Sequence, residues 1–448
     1  MNNEQELIVG LDIGSTKICV VVGCINENDR LEILGMGKAP SVGVEKGFIA
    51  NIDQTVEAIR MAITEAEKQS DVNINVVNVG IAGKQIQTQL HPGVITRPNA
   101  DQVISIEDIN RLAEDMYRTL TPSGTEIIHV IPQEYVVDYQ TGIKEPVGRI
   151  GVKLGADFNI VTAQMQGISH LKKCLQKANL TLGSLVLESI AAGMSVLSKE
   201  EKEAGVAIID IGGDTTEIAV FHENLIRFTS AVPFGGNVIT SDIRQGCRTT
   251  PPQAEMLKVK HGKSLANEAN LLDVVVIPGL RDFPPKEISV RNLSAIIEAR
   301  MEEIIEMVYA QILKSGLDRN LAGGIVLTGG GANLQFIKEH FELMTGIGTR
   351  IGNPNEYLAS ANSQIKSPEF ATAVGLVLAG FRALDERENR YLKTKNQSPN
   401  HNNKRIVQKT ENTAKSEKPK EKGKGLFGNW IDKAKGLLMD DMENQGEY

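Results

Sequence analysis

Ile8-Val9-Gly10-Leu11-Asp12-Ile13-Gly14-Ser15-Thr16-Lys17 and, about 200 residues on, Ala207-Ile208-Ile209-Asp210-Ile211-Gly212-Gly213-Asp214-Thr215-Thr216 follow one plan. Each is an apolar strand ending on an aspartate, then a glycine turn rich in hydroxyls, then a second apolar strand, Ile18–Val22 or Glu217–Phe221. Phosphate binding needs backbone N–H groups that converge on an anion with no side chain in the way. Gly14-Ser15-Thr16 and Gly212-Gly213-Asp214-Thr215 suit that need, and Lys17 adds a positive charge. Asp12 and Asp210 stand just before the glycines, so they are the candidate anchors for Mg2+, held largely through water. One such loop alone reads better as an ordinary β-hairpin with a turn aspartate. Two in matching contexts point instead to a phosphate gripped between two related α/β halves.

A third element supports that reading. Ile325-Val326-Leu327-Thr328-Gly329-Gly330-Gly331-Ala332-Asn333 predicts a buried strand running through three glycines into a helix, which lets backbone approach a flat group such as adenine or ribose. At Thr250-Pro251-Pro252 a capped helix begins, carrying Glu255 and Lys258 three residues apart. That pair is either a ligand contact or a surface ion pair.

Composition narrows the functional class. The 448 residues carry a net charge of −8, which argues against a nucleic-acid partner. The four cysteines, Cys19, Cys24, Cys174 and Cys247, are scattered, which fits a reducing compartment. The polar, acidic start predicts no signal peptide. No run approaches the ~18 apolar residues of a spanning helix.

Over 393–425 the chain holds ten basic residues against three acidic, a net +7 that leaves −15 on the remainder. With scarcely an apolar side chain, this stretch predicts a disordered linker. Apolar residues then return at helical spacing: Leu426, Phe427, Trp430, Ile431, Ala434, Leu437 and Leu438, with lysines opposite. An aromatic-rich apolar face on a basic leash is the pattern of an in-plane anchor on anionic lipid. Docking on its own body or on a partner's groove is the alternative. Burying five large side chains gives roughly 10 kcal/mol gross, less the ordering cost, so one tail binds weakly and many on a polymer bind firmly.

These segments resemble the actin superfamily, and among its branches the bacterial cell-division FtsA family. The segments that carry the second likeness are Gly10–Ser15, Asn78-Val79-Gly80-Ile81-Ala82-Gly83, Ile209–Thr216 and the amphipathic C-terminus. The resemblance implies an actin-like (ribonuclease H-like) α/β fold of two halves binding ATP and Mg2+. It implies phosphate loops at Asp12–Lys17 and Asp210–Thr216, and an adenosine loop at Thr328–Asn333 that includes Gly329, Gly330, Gly331 and Asn333. Connecting helices are expected at Leu187–Gly193 and Glu369–Gly375. Glu188 falls where a residue near the attacking water would sit, and Glu255 and Lys258 where relatives contact ribose and adenine.

By the same resemblance the first half is 7–84 with 163–192, interrupted by an inserted subdomain at 85–162. The second is 193–240 with 318–392, interrupted by a small subdomain at 241–317, and the linker and an amphipathic helix at 426–440 follow. The implied function is a peripheral tether on the cytoplasmic side of the plasma membrane at the division site. Such a protein self-associates, holds the FtsZ ring to anionic inner-leaflet lipids and helps recruit other divisome proteins. ATP there sets conformation and assembly, with at most slow turnover. The alternatives are a pilus-assembly ATP-binding relative, a sugar-kinase-like phosphotransferase and a chaperone ATPase. The second needs a carboxylate base beyond those of the loops, and the third a peptide-binding domain after residue 392.

Overall fold

The computed structural model describes residues 6–396 except 84, 100, 280–283, 356 and 360–364, with side chains described to residue 385. The anchor residues Leu426, Phe427, Trp430, Ile431, Ala434, Leu437 and Leu438, and all of the expected linker beyond residue 396, lie outside the described residues.

In chain order the first part comprises β1 (Leu7–Ile13), β2 (Lys17–Ile25), β3 (Leu31–Pro40), β4 (Val44–Glu45), β5 (Phe48–Ile49), α1 (Ile52–Ser70) and β6 (Val76–Ile81). An insert follows: β7 (Ile86–Thr96), α2 (Ile106–Met116), β8 (Thr125–Val137), β9 (Gln140–Ile143) and β10 (Lys153–Gln164). The chain then returns through α3 (Met165–Lys177), β11 (Thr181–Leu187) and α4 (Glu188–Val196). The second part begins with α5 (Lys199–Ala204), β12 (Val206–Ile211), β13 (Thr216–His222), β14 (Leu225–Val232), α6 (Gly236–Cys247) and α7 (Pro251–His261). It continues with β15 (Val274–Ile277), β16 (Lys286–Ser289), α8 (Val290–Lys314), β17 (Ile325–Thr328), α9 (Ile337–Thr345), β18 (Thr349–Ile351) and α10 (Ala371–Asn396). The first compact unit ends at Ala379, and of the residues after it only those of α10, to Asn396, are described.

The two halves share one sheet plan. In the first, the strands lie in the order β3-β2-β1-β6-β11; in the second, β14-β13-β12-β17-β18. Each has an antiparallel trio followed by strands parallel to its central member. This doubled plan is the actin-like fold. The inner strands read as unbroken apolar runs because they are covered on both faces: in β2, Ile18 through Cys24 are all buried. On α1 the residues Ile59, Ala62, Ile63 and Ala66 turn to the sheet, and the Asn51 side chain caps the helix by accepting the N–H of Gln54. In α8 the apolar residues Leu293, Ile297, Met301, Ile304, Ile305 and Val308 are buried, while Ile296 is half-buried.

The insert has its own antiparallel sheet, β7-β10-β8-β9, and a core of Leu112, Met116, Leu154 and Phe158 between that sheet and α2. A separate apolar cluster of Ile81, Ala163 and Ile168, flanked by Ile86, Ile128 and Leu185, fastens it to the first half.

Candidate functional site: two loops on one cavity

The doubled sheets end their central strands, β1 and β12, at the same place, and there the two aspartates meet. Each loop closes as the same four-residue hairpin turn. Gly14 N–H donates to Lys17 O at 3.1 Å, and Gly212 N–H to Thr215 O at 2.9 Å. Between them lies a cavity of about 680 Å³, within the range of small-molecule sites. Asp12, Gly14, Ser15, Thr16 and Lys17 line one side, and Asp210, Gly212, Gly213 and Thr215 the other. Gly329, Gly330, Gly331 and Asn333 also line it, as do Glu188, Glu255 and Lys258. The loops come so close that a Cβ on Gly213 would lie 2.2 Å from Thr16 Oγ1, so a side chain there would fill the cradle.

Two expected residues face elsewhere. Thr216 is fully buried and its hydroxyl donates to Phe234 O at 2.8 Å, because it is the first residue of β13 and points into the sheet. The Asp214 carboxylate accepts the N–H of Lys46 at 2.6 Å and the amide of Asn237 at 2.8 Å, bridging the halves beside the cavity. The glycine run also differs from the expected strand-to-helix turn. Gly330–Asn333 is a single 3₁₀ turn, Phe336 adopts a left-handed φ of 62°, and α9 starts only at Ile337. Glycine's weak helix propensity accounts for the delay. The Glu255–Lys258 pair is formed at 2.8 Å, but in the cavity wall rather than on open surface. Lys258 Nζ also donates to Gly236 O at 2.9 Å and to Thr240 Oγ1 at 2.8 Å.

The electrostatics are those of a site short of positive charge. Burial lifts the Asp12 carboxyl to about 6 against the pull of Lys17, with repulsion from Asp210 adding to it. Burial likewise raises Asp210, although the Thr372 hydroxyl donates to it at 2.8 Å. Glu188 is held well above the carboxylate range by burial and by Asp12, Glu217 and Asp210. Burial works against the Lys17 ammonium, but Asp12, Cys19, Glu369 and Asp210 outweigh it and keep it charged. Its Nζ donates to the backbone carbonyl of Glu369 in the second half and stands 5.4 Å from the Phe370 ring. An all-oxygen donor set around buried carboxylates suits Mg2+, which would return them to their charged forms. Among the described residues no group of three or more His, Cys, Asp or Glu side chains could hold a metal. An ion here would therefore complete its shell with water and ligand oxygens.

Sequence reading missed Glu217, Thr372 and His129. Glu217 had a signal, as the one charged residue inside an otherwise apolar strand. Thr372 sits in a small-residue run and had none. His129, on β8, is half-buried, and its Nε2 accepts the N–H of Leu187, the residue before Glu188, at 3.0 Å. All four cysteines are free and buried, and no described helix is long and apolar enough to cross a membrane.

Comparison with known proteins agrees with this geometry. The family model "Cell division protein FtsA" matches residues 207–375, and "SHS2 domain inserted in FTSA" matches 83–162. Cell division protein FtsA of Neisseria meningitidis serogroup B is 36% identical over 383 residues, 85% of this chain and 92% of that protein. Its counterpart in Borreliella burgdorferi is 38% identical over 377 residues, 84% and 91% of the two chains. A chain of the PilM-PilN type IV pilus biogenesis complex has a TM-score of 0.59 at 15% identity, covering 83% of this chain and 98% of that one; it speaks for the fold alone.

Proposed function

The chain belongs to the FtsA family of cell-division proteins, and from that membership we propose that it is an ATP-dependent membrane tether for FtsZ. The observation that carries the nucleotide part is the pair of equivalent hairpin loops closing on one cavity. Gly14, Ser15, Thr16, Gly212, Gly213 and Thr215 are the phosphate cradle, and Lys17 supplies charge. Asp12 and Asp210 hold Mg2+ through water, and Gly329–Asn333 with Glu255 and Lys258 surround the nucleoside. Mg2+ held there would offset the charge of the buried carboxylates, and phosphates gripped by both loops would draw the halves together. Glu188 lines the cavity directly after Leu187, whose backbone N–H is held by His129, and in this reading it orients water for at most slow hydrolysis.

The rest of the reading follows from family membership and, for the anchor, from charge and sequence pattern. The body self-associates and takes the FtsZ ring, and the anchor around Trp430 lies in the plane of the cytoplasmic leaflet among anionic lipids. In this reading the basic stretch 393–425 links body to anchor. Assembly gives the tails avidity that one tail lacks, and the assembled ring helps gather other divisome proteins.

The test is co-sedimentation of the full chain with FtsZ filaments and with vesicles containing anionic lipid, each with and without Mg·ATP. The expected result is pelleting with both, strengthened by ATP. Trp430→Glu is expected to lose vesicles alone, and Asp210→Ala to lose the ATP effect. A Trp430→Glu protein that still pellets with vesicles removes the anchor, and an Asp210→Ala protein with unaltered ATP binding removes the loop assignment.

A further inference from the structure

The insert is joined to the two halves in different ways. To the first half it is fastened by the apolar cluster around Ile81, Ala163 and Ile168. Neither apolar cluster that builds the second half includes a residue of the insert. Polar contacts meet the second half instead, and they converge on β14. That strand is the sheet's edge, paired only with β13, so its outer row of backbone groups needs other partners.

The insert supplies them with side chains. Gln133 Nε2 donates to Ile226 O at 2.9 Å, and Asn159 Nδ2 donates to Ile226 O at 3.3 Å and Arg227 O at 3.1 Å. Both amide side chains belong to buried residues. Thr88 and Thr229 share a hydroxyl contact at 2.7 Å, and Lys144 pairs with Glu223 at 2.7 Å. Apolar packing resists separation, whereas a polar seam re-forms its bonds with water and opens more readily.

The seam is mechanically close to the cavity. β14 pairs with β13 along its length, with one register shift at Val220/Phe221, and β13 leaves the Gly212–Thr215 loop and carries Glu217. Glu217 in turn accepts the N–H of Gly83, at the root of the insert, at 3.0 Å. Parting the halves at the loops therefore also strains or breaks the bonds of Gln133 and Asn159 to β14.

We propose that the insert is a clasp across the cleft, whose hold on β14 sets how fast a bound nucleotide leaves. This rests on the nucleotide reading above and adds its control: whatever engages the insert also acts on nucleotide retention. The clasp is tested in the full chain with Thr88→Cys and Thr229→Cys together, whose hydroxyl contact brings the side chains within reach of a disulfide. The four native cysteines are buried and leave this pair as the accessible one.

Loaded with a fluorescent ATP analogue and Mg2+ and chased with ATP, the oxidised protein is expected to release the analogue more slowly than the same protein reduced, on the order of tenfold. Gln133→Ala with Asn159→Ala is expected to release it faster than wild type. A disulfide that forms without slowing release, or one that does not form under oxidant, overturns the clasp. If the reduced double-cysteine protein and the wild type both fail to bind the analogue, the nucleotide reading fails instead. The clasp is then judged by hydrogen exchange over residues 216–232 in the Gln133→Ala, Asn159→Ala protein. Faster exchange than wild type supports it, and unchanged exchange overturns it.

Discussion

The carboxylate of Glu217, on inner strand β13 of the second half, accepts the backbone N–H of Gly83, in the first half, at 3.0 Å. Burial, against the help of that N–H and with repulsion from Asp210, lifts its pKa from 4.5 to about 7. The folded chain therefore takes up a proton below about 7, whereas the unfolded chain does so only near 4.5. The sign follows: Glu217 adds stability at low pH that is lost as pH rises from about 4.5 through about 7. Glu217→Gln keeps an acceptor for Gly83 and cannot ionise. Thermal unfolding of nucleotide-free protein across this range is expected to show wild type losing stability toward neutral pH relative to the variant. Parallel curves would mean that the carboxylate is not strained.

His129 has the opposite slope. Burial lowers it from 6.5 to about 4, so the folded protein excludes a proton that the unfolded chain accepts. Its contribution is present above 6.5 and is lost as pH falls toward about 4. Between about 4.5 and 6.5 the two residues oppose one another, and wild type is expected to be flatter there than either variant. His129→Gln is expected to weaken the acid-side loss. It also loosens the backbone at Leu187 and with it Glu188, so ATP turnover is expected to fall further than ATP affinity in a steady-state assay. An equal loss in both would count against a role in placing Glu188.

What was legible in the sequence was what is local. The hairpins at Asp12–Lys17 and Asp210–Thr216 announce themselves because strand, turn and strand lie within about 15 residues. The Thr250 cap was likewise readable, and its hydroxyl accepts the N–H of Gln253 as such a cap should. Contacts between the halves were not readable. Gly83 and Glu217 are 134 residues apart, Lys46 and Asp214 168, and Lys17 and Glu369 352, and no periodicity encodes such pairings. Thr216 shows the finer limit: a hydroxyl beside a phosphate-type loop reads as a donor, but strand alternation turns it into the core. The insert's hold on β14 was hidden for the same reason, since Gln133 and Asn159 read as ordinary polar residues within strands, with nothing local to name their partners.

Asp214 gives a graded prediction beside Asp210. Its carboxylate holds Lys46 N–H and the Asn237 amide and does not line the cavity. Asp214→Ala is therefore expected to loosen the closed cleft and weaken ATP binding by on the order of tenfold, the cost of about two hydrogen bonds partly replaced by water. Asp210→Ala, which removes a proposed Mg2+ anchor, is expected to abolish Mg-dependent binding. Titration with a fluorescent ATP analogue, with and without Mg2+, separates the two. Equal losses would place Asp214 in the phosphate cradle itself.

Gly329 and Gly330 are neighbours on which one added methyl group has opposite consequences. Gly329 has φ at 81°, where side chains are strained, and its Cβ would lie 2.1 Å from Asp210 Oδ1 and 2.7 Å from Ile211 O. Neither neighbour yields cheaply, because one is backbone and the other is a carboxylate fixed by Thr372. Strain and clash together are expected to cost about 3 kcal/mol in Gly329→Ala, enough to lower the thermal midpoint by several degrees without unfolding a protein of ordinary stability. At Gly330 a Cβ meets nothing within 4 Å, so Gly330→Ala is expected to leave stability near wild type. The discriminating measurement is ATP binding at a temperature where both variants are folded. Gly329→Ala pushes Asp210 out of place and should bind poorly even when intact, while Gly330→Ala should bind as well as wild type or be hindered only where the nucleoside itself needs that space.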